Sequence, residues 1–281
     1  MKKPTKRKSR ILSLLLILAL LAGLSLLLYP TAADWWNSMH QSRAIASYVE
    51  SVVELDETQY ESVWQAAVDY NAGIPDEDTR FLPDEEEKAL YETLLNVGGD
   101  GIMGYVEIPG IDVELPIYHG TNEEILQTAA GHIEGSSLPV GGEGTHSVIS
   151  GHRGLPSARL FTDLDQLEPG DTFMLHVLNE TLTYEVDEIN TVLPDDISLL
   201  GLEDGEDLCT LVTCTPYGVN SHRLLVRGHR VENAPEPIVD VVQIIADAAQ
   251  IPQALVALII ALPVLTAVAL LLRALFRRRN S

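Results

Sequence analysis

The sequence predicts a mainly β domain carried between two membrane-spanning helices, and three observations predict it. The first is a set of short runs in the second half of the chain: GYVEIP, VELPIYHG, HSVISGH, TFMLHVL, TLTYEVDEINTVLP, LCTLVTCTP and RLLVRGHRV. Each is β-branched or alternating, and each is bounded by Gly, Pro, Asn or Asp, which is how half-buried strands and their turns read. Seven or eight strands in about 130 residues fit one closed barrel or a sandwich. The second is a pair of uncharged apolar stretches, residues 11–28 and 254–272, each near the ~20 residues that cross a bilayer core as a helix. The third is the charge partition. The first ten residues hold six Lys or Arg and the last nine hold four Arg, with no acid in either. All 41 Asp and Glu lie between, against the remaining eight basic residues, a formal charge of −33.

Basic flanks on the outer side of both apolar stretches place both termini in the cytoplasm and the acidic middle outside. A cleaved signal peptide is the alternative for the first stretch, since Thr31, Ala32 and Ala33 follow it. Its length exceeds the usual 7–15-residue signal core, which favours an uncleaved anchor. An acidic exterior argues against a nucleic-acid partner, which would need a basic face.

After the first apolar stretch, residues 34–70 read as helix, with Ile45, Tyr48, Val49, Val52 and Val53, then Trp64, Ala67 and Val68, at helical spacing. The acidic stretch NAGIPDEDTRFLPDEEE holds two prolines and a glycine and reads as a loop; loops of that length are linkers or lids. Residues 88–96 form a short helix candidate, and residues 122–128 and 161–167 read as short helices or turns. The expected organisation is a basic tail (1–10), an anchor or signal peptide (11–29), a helical region (34–97) with a lid-like loop (73–87), and the β domain (98–232). A tether (233–250), a second membrane helix (251–272) and a basic tail (273–281) follow.

The chain has two cysteines, Cys209 and Cys214, five apart in DLCTLVTC. An odd offset in a strand sends their side chains to opposite faces, which disulfide geometry does not permit. A lone cysteine most simply reads as a small buried hydrophobe, and Cys209 fits that reading. Cys214 stands at a strand end before a Pro turn. If the two flanking runs pair, Arg223 returns beside it, where a guanidinium would favour a thiolate and donate to an oxyanion. Eight histidines are available. His152, in SGHRG at the end of a strand, suits a loop set on a rigid scaffold, but spacing does not choose it over His132 or His146.

The run Thr210-Leu211-Val212-Thr213-Cys214 resembles the Thr-Leu-x-Thr-Cys motif of sortases, the membrane-bound cysteine transpeptidases of Gram-positive bacteria. TPYGVNSHRLLVRG, GHIEGSSLPVGGEGTHSVISGHRGLPSARLFTDL and the paired membrane segments are similar to class C, the pilin-polymerising sortases. The resemblance is dense over residues 101–231. It implies a closed eight-stranded β-barrel, Cys214 as nucleophile, His152 as catalytic histidine and Arg223 as catalytic arginine, with no cofactor and no metal. It further implies cleavage of an LPXTG-like signal between Thr and Gly, and transfer of the acyl group to a lysine of another pilin.

Class C sortases carry an Asp-Pro-aromatic tripeptide in a lid over the site. Here the corresponding loop has none, and Asp76, Phe81 and Asp84 are the lid anchors it offers. Two other readings stand beside the pilin polymerase: a sortase that attaches proteins to peptidoglycan, and a non-catalytic membrane scaffold for pilus subunits.

Overall fold

The computed structural model describes residues 6–75 and 77–233. The second apolar stretch expected at 251–272, its tether and basic tail, and Asp76 lie outside the described residues. The first apolar stretch opens α1 (Lys6–Val53), one uninterrupted helix of 48 residues, about 72 Å long at ~1.5 Å per residue. Pro30 and the Thr31-Ala32-Ala33 triplet lie within it, so the helix runs unbroken from the apolar stretch into residues 34–53. Among the described residues this is the one helix long and apolar enough to cross a membrane, and its most apolar window is unburied by the rest of the chain.

The C-terminal half of α1 packs on the β domain. Tyr48 is buried; its hydroxyl donates to the Met103 carbonyl (3.1 Å) and accepts from the Leu178 N–H (2.7 Å). The single helix expected from 34 to 70 breaks at Glu54–Asp56. The reason is local: Asp56 caps α2 (Glu57–Gly73) and Gln59 returns the bond to the Asp56 N–H, a capping box that starts a new helix. Asn71 fastens the end of α2, accepting from the Leu138 N–H and donating to its carbonyl.

The stretch expected as loop from 73 to 87 is more ordered than its composition suggests. A single 3-10 turn spans Asp78–Phe81, and α3 runs over Glu85–Tyr91, earlier than the helix expected at 88–96. Asp84 sets that start. Its carboxylate accepts from the Glu86 and Glu87 N–H groups while Glu87 bonds back to the Asp84 N–H. Asp84 is thus the cap of this helix.

Eight strands follow: β1 (Ile102–Ile108), β2 (Val113–His119), β3 (Ala130–His132), β4 (Thr145–Ser150), β5 (Thr172–Val177), β6 (Glu180–Val192), β7 (Asp207–Thr215) and β8 (His222–Val231). A short α4 (Glu123–Leu126) lies between β2 and β3. The strands close into a barrel in the order β1-β2-β3-β4-β7-β8-β6-β5, so the barrel and not the sandwich is the architecture. Pairing is antiparallel except for β2–β3 and β4–β7. Alternate residues of β7 and β8, among them Cys209, Leu211, Leu224 and Val226, point into the barrel core. Val212 and Leu225 point outward, yet join Val148 and Leu200 in a second buried cluster. Burial on both faces explains why β7 reads as a nearly continuous apolar run.

Candidate active site

The parallel β4–β7 pairing puts two strand ends at one rim of the barrel. Ser150 is paired with Val212, and the Gly151 N–H continues the ladder to the Val212 carbonyl (3.0 Å). The Thr213 hydroxyl then donates to the Gly151 carbonyl (2.8 Å, buried). His152, one residue past Gly151, therefore leaves the sheet beside Cys214, one residue past Thr213 near the end of β7. A Cβ at position 151 would lie 2.6 Å from the Phe161 ring, so glycine alone fits where the histidine loop turns across the barrel.

On the other flank, β7 and β8 are antiparallel, and Cys214 stands directly opposite Arg223. Directly opposed residues share a face with Cβ atoms about 4.5–5.5 Å apart. His222 pairs with Thr215 and falls on the opposite face. The sequence-predicted residues Cys214, His152 and Arg223 are thus brought to one rim, on the outward face of the barrel.

The two cysteines are both free and differ in setting. Cys209 is 0% exposed and burial pushes its thiol pKa up, whereas Cys214 is half-buried. Arg223 donates to the His222 and Asn220 carbonyls (3.2 and 3.5 Å) and has no carboxylate partner among the described residues. In contrast, Arg227, four residues along β8, is met by Asp187, Glu188 and Glu203. A guanidinium without a protein counter-ion, beside a half-buried thiol, is suited to an incoming carbonyl or oxyanion.

The three histidines that spacing leaves open differ in their partners. His146 is buried; its Nδ1 donates to the Gly201 carbonyl (2.8 Å) and its Nε2 accepts from the Thr210 hydroxyl (2.7 Å). His132 is buried; Nε2 donates to the Ser137 carbonyl (2.8 Å) and Nδ1 meets the Tyr91 hydroxyl (2.9 Å). Burial lowers both pKa values to about 4, so both rings are neutral with both nitrogens engaged. Only His152, 26% exposed, has a ring open to the rim, with the Glu123 carboxylate 3.7 Å from Nε2.

The depressed values carry a stability prediction. The unfolded pKa of a histidine, about 6.5, lies above these folded values, so the unfolded chain takes up protons first as pH falls. The contribution of each neutral ring is complete above pH 6.5 and is lost progressively toward pH 4, on the order of 3 kcal/mol per residue. A His146→Asn variant is expected to be less stable at pH 7 but to lose less further stability between pH 6.5 and 4.5, as read by denaturation of the full chain.

Of the lid candidates read from the sequence, Asp76 lies outside the described residues and Phe81 is held by apolar packing. It packs against the outward cluster of Val148, Val212, Leu200 and Leu225, the continuation of the face that carries Cys214 and Arg223. Its neighbour Arg80 is buried, donates to the Leu200 carbonyl (2.6 Å), and has its guanidinium 4.8 Å from the Phe81 ring centroid. The backbone lies close: a Cβ on Gly135 would come within 2.2 Å of the Arg80 carbonyl. The 3-10 turn is therefore docked as a strap over the outward face.

Sequence reasoning missed two residues at the rim. Glu123, the first residue of α4, meets His152 from an element whose approach no local signal announces. Arg153 was adjacent to His152 in SGHRG, and its partners, Thr215 and Asp165, are set by tertiary structure.

Comparison with known proteins places the barrel in one family. The family model described as "Sortase domain" matches residues 106–231. Sortase C1 of Streptococcus agalactiae is similar at 51% identity and a TM-score of 0.64, covering 68% of this chain and 100% of that one. A Streptococcus pneumoniae sortase C, whose structure is described as informing "catalysis as well as pilin substrate specificity", is 45% identical with a TM-score of 0.60, covering 69% and 100%. Sortase D of Bacillus subtilis is 34% identical over 131 residues, 46% of this chain and 63% of that protein. The chain thus spans 40–63% of the length of the curated relatives it matches, and the full length of these two solved sortase C chains. A barrel shared end to end at half identity, with the Cys214–Arg223 rim inside the matched residues, shows that the chain belongs to the sortase family.

Proposed function

We propose that the protein is a membrane-held cysteine transpeptidase that joins pilin subunits. The observation that carries this reading is the register of β7 on β8, which sets Cys214 opposite an arginine with no carboxylate partner among the described residues, beside the His152 loop. In the proposed reaction the Cys214 thiolate attacks the carbonyl of Thr in an LPXTG-like signal. Arg223 donates to the oxygen that becomes negative. His152, as imidazolium, gives its proton to the departing glycine amine as the Thr–Gly bond breaks. The resulting thioester is opened by a lysine amine of a second pilin, whose proton returns to His152, leaving an isopeptide bond and a free Cys214.

The likeness to two sortases C supports pilin as substrate over peptidoglycan attachment. The apolar part of α1 supports a membrane anchor, and the basic flanks of both apolar stretches support two spans with cytoplasmic termini. Incubating the full chain in detergent with an LPXTG-bearing pilin is expected to give a ladder of covalent multimers. Transfer to a lipid II-like amine with no ladder would favour wall anchoring, and neither product would leave a scaffold.

Phe81 and Arg80 support a lid without the Asp-Pro-aromatic plug. Burying part of a Phe ring contributes about 1–2 kcal/mol. Phe81→Ala is therefore expected to raise the rate of Cys214 alkylation by iodoacetamide roughly tenfold, because docking of the strap limits access. An unchanged rate would mean that the strap does not guard the thiol.

A further inference from the structure

Arg153 is unusual among the arginines of the barrel. Its side chain is only 8% exposed. Nη2 is ion-paired with Asp165, and Nη1 donates to the Thr215 hydroxyl (3.3 Å). Nε is buried and has no hydrogen-bond partner. The guanidinium carbon lies 6.0 Å from the centroid of the Tyr217 ring. A buried cation is expensive unless paired, and one of its donors here is left unmet. Apolar filling would serve the core better, so the burial needs a reason other than stability.

The reason is where the ends of this bridge stand. Arg153 follows His152, and Thr215 follows Cys214. The rest of the histidine loop is tied by its backbone: Gly151 to β7 on both sides, the His152 carbonyl to the Phe161 N–H (3.1 Å), and the Gly154 N–H to the Thr162 hydroxyl (3.2 Å). None of those ties reaches β7 beyond Thr213. The Arg153–Thr215 bond is the side-chain link that crosses from the histidine loop to the strand end carrying the thiol. Asp165, in the 3-10 turn Leu164–Gln166, anchors the guanidinium from outside.

We infer that Arg153 is a positioning residue, a clamp that fixes the His152 ring relative to the Cys214 thiol, with Asp165 as its anchor and Thr215 as its receiver. The inference rests on the reading of Cys214 and His152 as the reacting pair. Fixing that distance matters most in the step where His152 transfers a proton, because a misplacement of about 1 Å can cost roughly a hundredfold in rate. A clamp that does not touch the sorting signal should act on kcat and leave KM alone.

The test uses the full chain in detergent with an LPXTG-like peptide and an amine acceptor. Arg153→Lys keeps the charge but loses the planar fork that reaches two partners, and Thr215→Val removes the receiving hydroxyl at constant shape. Arg153→Lys is expected to lower kcat at least tenfold and Thr215→Val severalfold, each with KM within twofold. The double variant should fall no further than Arg153→Lys alone, as for two ends of one bond. Thermal midpoints report whether the variants fold; if Arg153→Lys does not, Thr215→Val decides. A kcat within twofold of the parent in the folded variants, or a loss confined to KM, would overturn the clamp. Cys214→Ala run alongside separates the two claims: activity surviving in that variant refutes the reaction itself, whereas its loss with an unimpaired Arg153→Lys refutes only the clamp.

Discussion

Cys214→Ala is expected to abolish both cleavage of the sorting signal and formation of isopeptide product, with no measurable loss of fold. The thiol supplies the bond on which the proposed reaction turns, and alanine has no atom to replace it. The thiol is half-buried at a strand end, outside the barrel core, so its removal should shift stability by well under 1 kcal/mol. Cys209 provides the opposite pattern. It is enclosed in the core, and burial holds its thiol neutral. Cys209→Ser should cost about 1–3 kcal/mol by burying a hydroxyl among apolar neighbours, while the folded variant keeps its activity. Product assays and thermal midpoints on the two variants would check both halves.

Arg223→Lys is expected to lower kcat/KM by about a hundred- to a thousandfold, the usual cost of removing an oxyanion donor. Lysine preserves the charge, but its ammonium is a point donor on a flexible stem and cannot reproduce the fixed N–H fork. The stability of this variant should stay within about 0.5 kcal/mol of the parent, because Arg223 makes no ion pair among the described residues. Arg227 offers the internal comparison: it sits on the same strand and face but is held by three carboxylates. Its replacement by Lys should alter stability more than rate. Steady-state kinetics with denaturation of both variants would show the contrast.

Much of this arrangement was legible in the sequence because it rests on short-range rules. Strand alternation placed Cys209 and Cys214 on opposite faces, and the hairpin of the last two strands returned Arg223 to the cysteine. β3 was not legible: three residues, Ala-Gly-His, carry no alternation, and the strand exists only because β2 and β4 lie on either side of it. The choice of His152 over His132 and His146 was legible only through the family resemblance and not in spacing. The rings of the other two are occupied by carbonyls and a hydroxyl contributed by loops and a neighbouring strand, contacts that no local pattern announces. The start of α3 was present in principle, since Asp84 and Glu87 have capping-box spacing, but an acidic run beside two prolines has the composition of a loop. The proposed lid was legible only as a segment. Phe81 finds its place where Val148, Val212 and Leu225 meet across three strands.

The central claim is that Cys214 becomes acylated by the substrate's threonine. The most direct measurement is the intact mass of the full chain after mixing with an LPXTG-like peptide in the absence of an amine acceptor, followed by mapping of the modified peptide. A mass increase equal to the peptide up to its Thr, labile to hydroxylamine and located at Cys214, is the predicted result. An unmodified chain with the peptide intact, or an adduct that persists in Cys214→Ala, would contradict it.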